Sequence, residues 1–199
     1  MSKIIVLGAG LSGLASASLL ARAGHKVTVL DKQSWLGGKS RRIEVAGQIM
    51  DTGPALVTFT GVWDKLLKRY DELGASQSKS ASEIADINFV KLNELGRYFY
   101  QDQVTDLPVK PDHEWFEAWD RFEKEHAPLT EPITELLTKM PTDPASLPAL
   151  AKLQKRYGLR LTTSWYLKGL KWMPEKLKDI IAIHTLNAGI APTKTLALY

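Results

Sequence analysis

Residues 4–13 carry the sequence IIVLGAGLSG, a short apolar run that ends in three glycines with the spacing GxGxxG. The β-branched run at 4–7 is typical of a strand buried on both faces. Helix-forming residues occupy 11–23, and Gly24 marks the end of that helix. A second β-branched run at 26–30 predicts the next strand. Strand, glycine turn, helix and strand in this order predict the first βαβ unit of a Rossmann-type α/β fold.

Each glycine of the turn has its own predicted role. Gly8 permits the tight turn, Gly10 lets the backbone approach a diphosphate, and Gly13 lets the helix pack closely on the strand. The free N–H groups and the positive dipole end of the helix, at Leu11 and Ser12, favour a bound phosphate. The turn therefore predicts a site for the diphosphate of a dinucleotide.

A carboxylate follows the second strand. Asp31 lies about 20 residues after Gly10, where an acid at the strand tip hydrogen-bonds ribose hydroxyls. The same charge would repel a 2′-phosphate, which disfavours an NADP-type ligand. A glycine turn that serves packing alone is the alternative, but the flanking strands, helix and acid favour a dinucleotide. They do not decide between NAD and FAD.

A second glycine motif comes soon after Asp31-Lys32. Gly37 and Gly38 admit close backbone approach to a ligand, and Lys39 supplies a positive charge beside Ser40. This arrangement suits further phosphate groups; the alternative is a glycine turn before a solvated basic run. The sequence DTGP follows at residues 51–54.

Composition excludes several kinds of chemistry. The chain has 199 residues, 44% of them hydrophobic and 24% charged, which is typical of a globular protein. It contains no cysteine, so disulfides and thiolate catalysis are excluded, and its 4 histidines show no ligand spacing, so no metal site is predicted. The net charge of +4 is too small to indicate a nucleic-acid partner. Glycines at 8, 10 and 13 argue against a signal peptide or a membrane span.

The three motifs together resemble the N-terminal FAD-binding region of the bacterial-type carotenoid desaturases, the family of phytoene desaturase and carotenoid isomerase. The resemblance is densest over residues 3–74 and resumes at 182–192, which include His184. It implies FAD as the cofactor and places the 51–54 element near the flavin ring. Lys39 stands where the family more often has arginine, which keeps the charge but loses the bidentate fork. The residues predicted to bind the cofactor are Gly8, Gly10, Leu11, Ser12, Gly13, Asp31, Lys32, Gly38, Lys39, Ser40 and Pro54.

The resemblance also implies an activity. Members of the family desaturate carotenoids such as phytoene or a hydroxycarotenoid by hydride transfer to the flavin, and related enzymes isomerise or saturate polyenes. No acid/base pair is predicted here, and His184 is the one family-matched candidate, so the catalytic residues stay unassigned. Family members are more than twice this length, and a C-terminal segment completes their flavin domain. We therefore expect the chain to be a fragment that, alone, binds FAD weakly and is inactive. The alternative is a non-catalytic nucleotide-binding subunit that a second chain completes.

The rest of the chain predicts a mostly helical α+β lobe inserted into the flavin domain. The predicted divisions are 1–76 for the FAD-binding region, 77–180 for the lobe and 181–199 for the start of the return. A helix is predicted over 60–73, and strands are predicted over 87–92, 97–101 and 104–109, followed by proline-punctuated helices.

Two stretches of the lobe differ strongly in charge. Residues 112–135 hold 8 acidic and 2 basic residues, whereas 152–178 hold 8 basic residues and 1 acidic residue. Aromatics interleaved with the basic residues suit a membrane interface, so a cytoplasmic, peripherally membrane-associated protein is predicted; a solvated helix face with inward-packed aromatics is the alternative. Trp115, Phe116, Trp119 and Phe122 follow helical spacing, which indicates core packing or the lining of a polyene tunnel.

Overall fold

The computed structural model describes residues 1–53, 56–74, 79–84, 87–140 and 142–197. The chain divides into two compact units, Met1–Phe89 and Val90–Tyr199, which are described separately. The predicted boundary after residue 76 falls outside the described residues and stays a prediction, as do the other predicted divisions.

The first unit begins with the predicted βαβ arrangement. Strand β1 (Lys3–Leu7) and strand β2 (Lys26–Leu30) are parallel and in direct register, and helix α1 (Leu11–Arg22) connects them. Alternate residues such as Val6 and Val29 are shielded, while Leu7 is 81% exposed. Burial of β1 on both faces is therefore a wrong prediction within the described residues, because α1 covers one face of the two-stranded sheet.

A hairpin that the sequence did not indicate follows the second glycine motif. Strands β3 (Arg42–Val45) and β4 (Gln48–Asp51) are antiparallel. Ala46 and Gly47, at the turn, have φ values of 49° and 76°. A left-handed alanine is uncommon, which explains why no hairpin is predicted from these residues.

Helices α2 (Thr60–Leu73) and α3 (Ala81–Ile84) complete the first unit. The observed α2 has the predicted bounds. Arg22, at the end of α1, donates from Nε to the Tyr70 carbonyl O at 3.2 Å and lies 4.4 Å from the centre of the Tyr70 ring. This contact fixes α2 against α1.

The second unit contains one hairpin and five α-helices among its described residues. Strands β5 (Gly96–Tyr100) and β6 (Gln103–Leu107) are antiparallel. Residues 87–92 form no strand, so that prediction is wrong. The helices are α4 (Phe116–His126), α5 (Thr130–Thr138), α6 (Leu147–Tyr157), α7 (Thr163–Gly169) and α8 (Glu175–Ile183).

An aromatic and aliphatic core holds the second unit together. Leu177 and Ile180 of α8 are fully buried. Trp115 and Trp119 are buried in the same cluster, and Phe122 packs against it. The structure thus favours core packing for the helically spaced aromatics. No described helix is both long enough and apolar enough to span a bilayer.

His126 lies in a cluster of aromatic rings within this unit. Its Nδ1 is 2.6 Å from the Phe122 carbonyl O and its Nε2 is 2.8 Å from the Tyr166 hydroxyl. Because a carbonyl only accepts, Nδ1 carries the proton and Nε2 accepts from Tyr166. Burial lowers the pKa of His126, and of His184, below the ordinary value of 6.5.

We expect the stability of this unit to depend on pH. Because each histidine has a lower pKa in the folded protein, the unfolded chain binds more protons as the pH falls. The free energy of unfolding should therefore decrease below about pH 6.5. The decrease should be at most about 1.4 kcal/mol per pH unit for each histidine. Urea unfolding at pH 7.5 and 5.5 measures the change. The His126→Gln variant should lose part of this dependence, and a His126→Gln slope equal to that of the unchanged chain would contradict the assignment.

Candidate dinucleotide-binding site

The glycine turn lies at the carboxyl ends of the two parallel strands, between β1 and α1. Gly8 has φ = 100°, a left-handed conformation that a side chain would strain. A Cβ atom on Gly13 would lie 1.9 Å from the Gly8 carbonyl O. Both predicted roles, the tight turn and the close helix packing, therefore agree with the geometry. No side chain caps the N-terminus of α1, at Leu11 and Ser12.

Gly10 differs from its two neighbours in the motif. Its φ of −74° is open to any residue, and a Cβ atom there would meet only the Gly38 Cα, at 4.0 Å. The fold therefore does not require a glycine at this position. Bare backbone with room beside it fits the close approach of a diphosphate, which is the role predicted for Gly10.

Asp31 reaches from the end of β2 over the turn. Its Oδ2 accepts from the Ala9 N–H at 2.6 Å, and its Oδ1 accepts from the Gln33 N–H at 2.7 Å. These hydrogen bonds, followed by the charge of neighbouring Lys32, lower the pKa of Asp31. The carboxylate is thus kept ionised, and each oxygen retains a lone pair for a ribose hydroxyl.

A cavity opens beside this carboxylate. It has a volume of about 400 Å³ and is lined by Leu7, Gly8, Leu30, Asp31 and Lys32. Cavities at the carboxyl ends of parallel strands are where open α/β sheets bind their ligands. The cavity brings Gly8, Asp31 and Lys32 of the predicted set together.

We expect the Asp31→Asn variant to bind a dinucleotide about ten to a hundred times more weakly. The asparagine side chain has one acceptor oxygen, so its NH₂ group would face one of the two backbone N–H groups that now donate to Asp31. The negative charge that faces the ribose would also be lost. Calorimetric titration measures the affinity. The Glu44→Gln variant, which neutralises an exposed carboxylate of β3, is the control. Affinity within threefold of the unchanged chain would contradict a ribose contact.

The second glycine motif packs directly on the first. The Gly37 N–H donates to the Ala9 carbonyl O at 2.8 Å. A Cβ atom on Gly38 would lie 3.0 Å from the Gly10 Cα. The two motifs, separated by more than twenty residues in sequence, thus form one continuous backbone surface. Lys39 is exposed beside it and forms no ion pair within the described residues; Ser40 is exposed as well.

The third motif contacts the second one. The Thr52 N–H and hydroxyl both donate to the Arg41 carbonyl O, at 2.8 and 2.9 Å. A Cβ atom on Gly53 would lie 1.7 Å from the Lys39 carbonyl O, so only glycine fits there. Pro54, the remaining predicted residue of this motif, lies outside the described residues.

Two contributors to the site were missed by the sequence analysis. Ala9 is buried, and its N–H and carbonyl join Asp31 to Gly37. It gave no signal because the middle position of GxG accepts any small residue. The guanidinium of Arg41 lies 4.1 Å from the centre of the Trp35 ring, so a second cation follows Lys39 at this site. In the sequence, Arg41 could have been found from the basic run and the nearby tryptophan.

His184 lies in the second unit, and its surroundings are those of a structural histidine. Its Nε2 is 2.9 Å from the Tyr98 hydroxyl, and burial lowers its pKa. Neighbouring contacts from Tyr100 to Asp179 at 2.7 Å, and between Lys176 and Asp102, also join the hairpin to α8. The catalytic residues stay unassigned.

The first unit matches a known domain family. The family model described as an NAD(P)-binding Rossmann-like domain matches residues 6–73. A 1-hydroxycarotenoid 3,4-desaturase from a Flavobacterium species is 34% identical over 51% of this chain. A 4,4′-diapophytoene desaturase (4,4′-diapolycopene-forming) from a Methylomonas species is 35% identical over 56% of the chain. A 4,4′-diapophytoene desaturase (4,4′-diaponeurosporene-forming) from Staphylococcus aureus is 25% identical over 99% of it.

These alignments cover only part of each relative. They span 19%, 20% and 40% of the lengths of the three desaturases. Similarity extends through the three motifs that the fold brings together, and the Rossmann-like match coincides with the βαβ unit and α2. The chain thus carries a Rossmann-like dinucleotide-binding region at residues 6–73 and is similar to carotenoid desaturases over part of their length.

Proposed function

We propose that this chain provides the FAD-binding part of an oxidoreductase that desaturates a carotenoid or a related polyene. The observation that carries the proposal is the assembly of three sequence motifs into one surface, with Ala9 hydrogen-bonded to both Asp31 and Gly37. The printed activities of the desaturase relatives support the reaction type and the substrate class.

Each part of the surface fits a part of the dinucleotide. The Asp31 carboxylate accepts hydrogen bonds from ribose hydroxyls, and the turn from Gly8 to Gly13 presents backbone and a helix N-terminus to the diphosphate. Gly38 and Lys39 extend the surface beyond the turn, with a positive charge for further phosphate oxygens. The resemblance of the three motifs to the FAD-binding region of carotenoid desaturases supports FAD, and the charge of Asp31 disfavours a 2′-phosphate.

Bound FAD would supply a ring that accepts a hydride from a C–H bond beside a conjugated system. The residues of this chain orient the adenosine and diphosphate ends of the molecule. Asp31 faces the ribose and Lys39 the phosphates in this proposal, so no acid or base is assigned to the reaction within the described site.

Titration of the purified chain with FAD, NAD⁺ and NADP⁺ tests the proposal. We expect saturable binding of FAD, at least about tenfold weaker binding of NAD⁺, and weaker binding still of NADP⁺; tighter binding of NAD⁺ than of FAD would overturn the cofactor assignment. Loss of oxidised-flavin absorbance on adding a polyene would support desaturation. A requirement for pre-reduced flavin would instead favour isomerisation, and co-purification with a completing chain would favour a subunit.

A further inference from the structure

Trp35 and Arg41 stand on either side of the second glycine motif and contact each other. The guanidinium of Arg41 lies 4.1 Å from the centre of the Trp35 ring, so the two side chains join the ends of the loop that carries this motif. Within the loop the Ser40 N–H donates to the Gly37 carbonyl O at 3.1 Å, and the Gly37 N–H donates to the Ala9 carbonyl O at 2.8 Å. The pair is therefore attached to the backbone surface that the proposed function assigns to the dinucleotide.

Arg41 is fixed at both ends of its side chain. Its carbonyl O accepts from the N–H and the hydroxyl of Thr52, at 2.8 and 2.9 Å, which holds the backbone. The Trp35 ring supports the guanidinium, and the buried Nε1 of that ring has no hydrogen-bond partner within the described part of the chain, so packing alone holds the ring. A side chain that is already fixed loses little conformational entropy when a ligand binds.

The guanidinium of Arg41 keeps its hydrogen-bond donors for a ligand. A guanidinium that packs on an aromatic ring contacts it mainly through its flat face and leaves the N–H groups at its edge free. Among the described residues no carboxylate pairs with Arg41, whereas the neighbouring Arg42 donates from Nε to Asp51 at 3.0 Å. Arg41 is also exposed. An accessible, unpaired guanidinium in a fixed position is suited to bind an anion with two parallel hydrogen bonds.

We propose that Arg41, positioned by Trp35, binds the diphosphate of the dinucleotide through two parallel N–H···O hydrogen bonds. This inference rests on the proposed function and adds Arg41 to the residues that bind the cofactor. Lys39, the exposed cation of the same loop, is a point charge on a flexible stem and provides no such pair of donors. Lys39 thus contributes charge alone, and Arg41 contributes both charge and orientation.

Titration of the 199-residue chain with ADP and with adenosine tests the proposal, because the two ligands differ only in the diphosphate. The Arg41→Gln variant should bind ADP about ten to a hundred times more weakly, and its adenosine affinity should change less than about threefold. Arg42→Gln is the matched control: it has the same net charge and loses an exposed ion pair, so its ADP affinity should change less than about threefold. Arg41→Lys restores the charge without the paired donors and should weaken ADP binding about fivefold.

Variants of Trp35 test its role as a positioning residue. Trp35→Phe keeps an aromatic face and removes an N–H that has no partner, so ADP affinity should stay within about threefold of the unchanged chain. Trp35→Leu removes the aromatic face and should weaken ADP binding about fivefold. In the Arg41→Gln background the same Trp35→Leu change should have almost no further effect, because the tryptophan acts through the arginine. A loss that simply adds to that of Arg41→Gln would contradict the positioning role.

Salt provides an independent measurement. Raising the ionic strength from about 0.05 to about 0.5 M should weaken ADP binding to the unchanged chain more than to the Arg41→Gln variant. Equal losses of ADP and adenosine affinity, equal losses in Arg41→Gln and Arg42→Gln, or the same salt dependence with and without Arg41 would each overturn the proposal. The Arg41 variants alter an exposed side chain, so they decide the matter if Trp35→Leu fails to fold. Failure of the unchanged chain to bind both FAD and ADP would instead overturn the proposed function.

Discussion

The Gly13→Ala variant is expected to lose dinucleotide binding and to unfold at a lower urea concentration than the unchanged chain. A Cβ atom at this position would lie 1.9 Å from the Gly8 carbonyl O and 3.0 Å from the Gly8 carbonyl carbon. Both are backbone atoms, so the clash is relieved only if α1 and the turn after β1 separate. Overpacking of this kind costs about 1–3 kcal/mol, and the separation moves the helix N-terminus away from the diphosphate.

Gly10→Ala is the matched comparison for this variant. Its Cβ atom would meet only the Gly38 Cα, at 4.0 Å, so the free energy of unfolding should change by less than about 0.5 kcal/mol. FAD affinity should nevertheless fall, by about a hundredfold, if the diphosphate lies on bare backbone there. Urea unfolding and FAD titration of both variants separate the two roles. Full FAD affinity in Gly13→Ala would contradict the packing argument, and full affinity in Gly10→Ala would contradict the ligand contact.

The Gly53→Ala variant is expected to disconnect the third motif from the second. Its Cβ atom would lie 1.7 Å from the Lys39 carbonyl O and 3.2 Å from the Ser40 N. The backbone must move, and both hydrogen bonds from Thr52 to the Arg41 carbonyl are then lost. We expect the free energy of unfolding to fall by about 1–3 kcal/mol and FAD affinity to fall about tenfold or more, because Lys39 and Ser40 shift with their backbone.

Thr52→Val is the control for that variant. It keeps the shape of the side chain and the backbone hydrogen bond, and it removes the hydroxyl bond to Arg41 at 2.9 Å. Its cost should stay near 1 kcal/mol, with FAD affinity almost unchanged. The same two titrations measure it. If Gly53→Ala behaved like Thr52→Val, the contact between the two motifs would not matter for the site.

The predictions of secondary structure that the structure confirmed depend on the spacing of residues close in the chain. The βαβ unit and the bounds of α2 depend on residues close in the chain: the apolar runs, the helix formers and the stop at Gly24. Such signals survive in the folded protein because neighbouring residues supply the hydrogen bonds of the helix. The same applies to Gly8, whose left-handed φ follows from a turn between adjacent elements.

Where prediction failed, a distant contact or an unusual backbone angle was responsible. The hairpin of β3 and β4 turns at Ala46, which has a positive φ that its residue type does not signal. Residues 87–92 have the composition of a strand but no partner strand among the described residues, and an unpaired run gains no ladder of hydrogen bonds. The exposed face of β1 likewise depends on what packs against it and not on its own β-branched residues.

The sequence by itself determined that a dinucleotide-binding turn is present, because glycine spacing, strand composition and Asp31 are local properties. Tertiary structure decided that the three motifs form one surface: Ala9 bonds to Asp31 and Gly37, and Gly53 fits against the Lys39 carbonyl O only because Gly53 has no Cβ atom. It also decided that Trp115 and Trp119 belong to a core while Trp165 faces solvent. Helical spacing places residues on a common face, but only the packing of the other elements determines which face is buried.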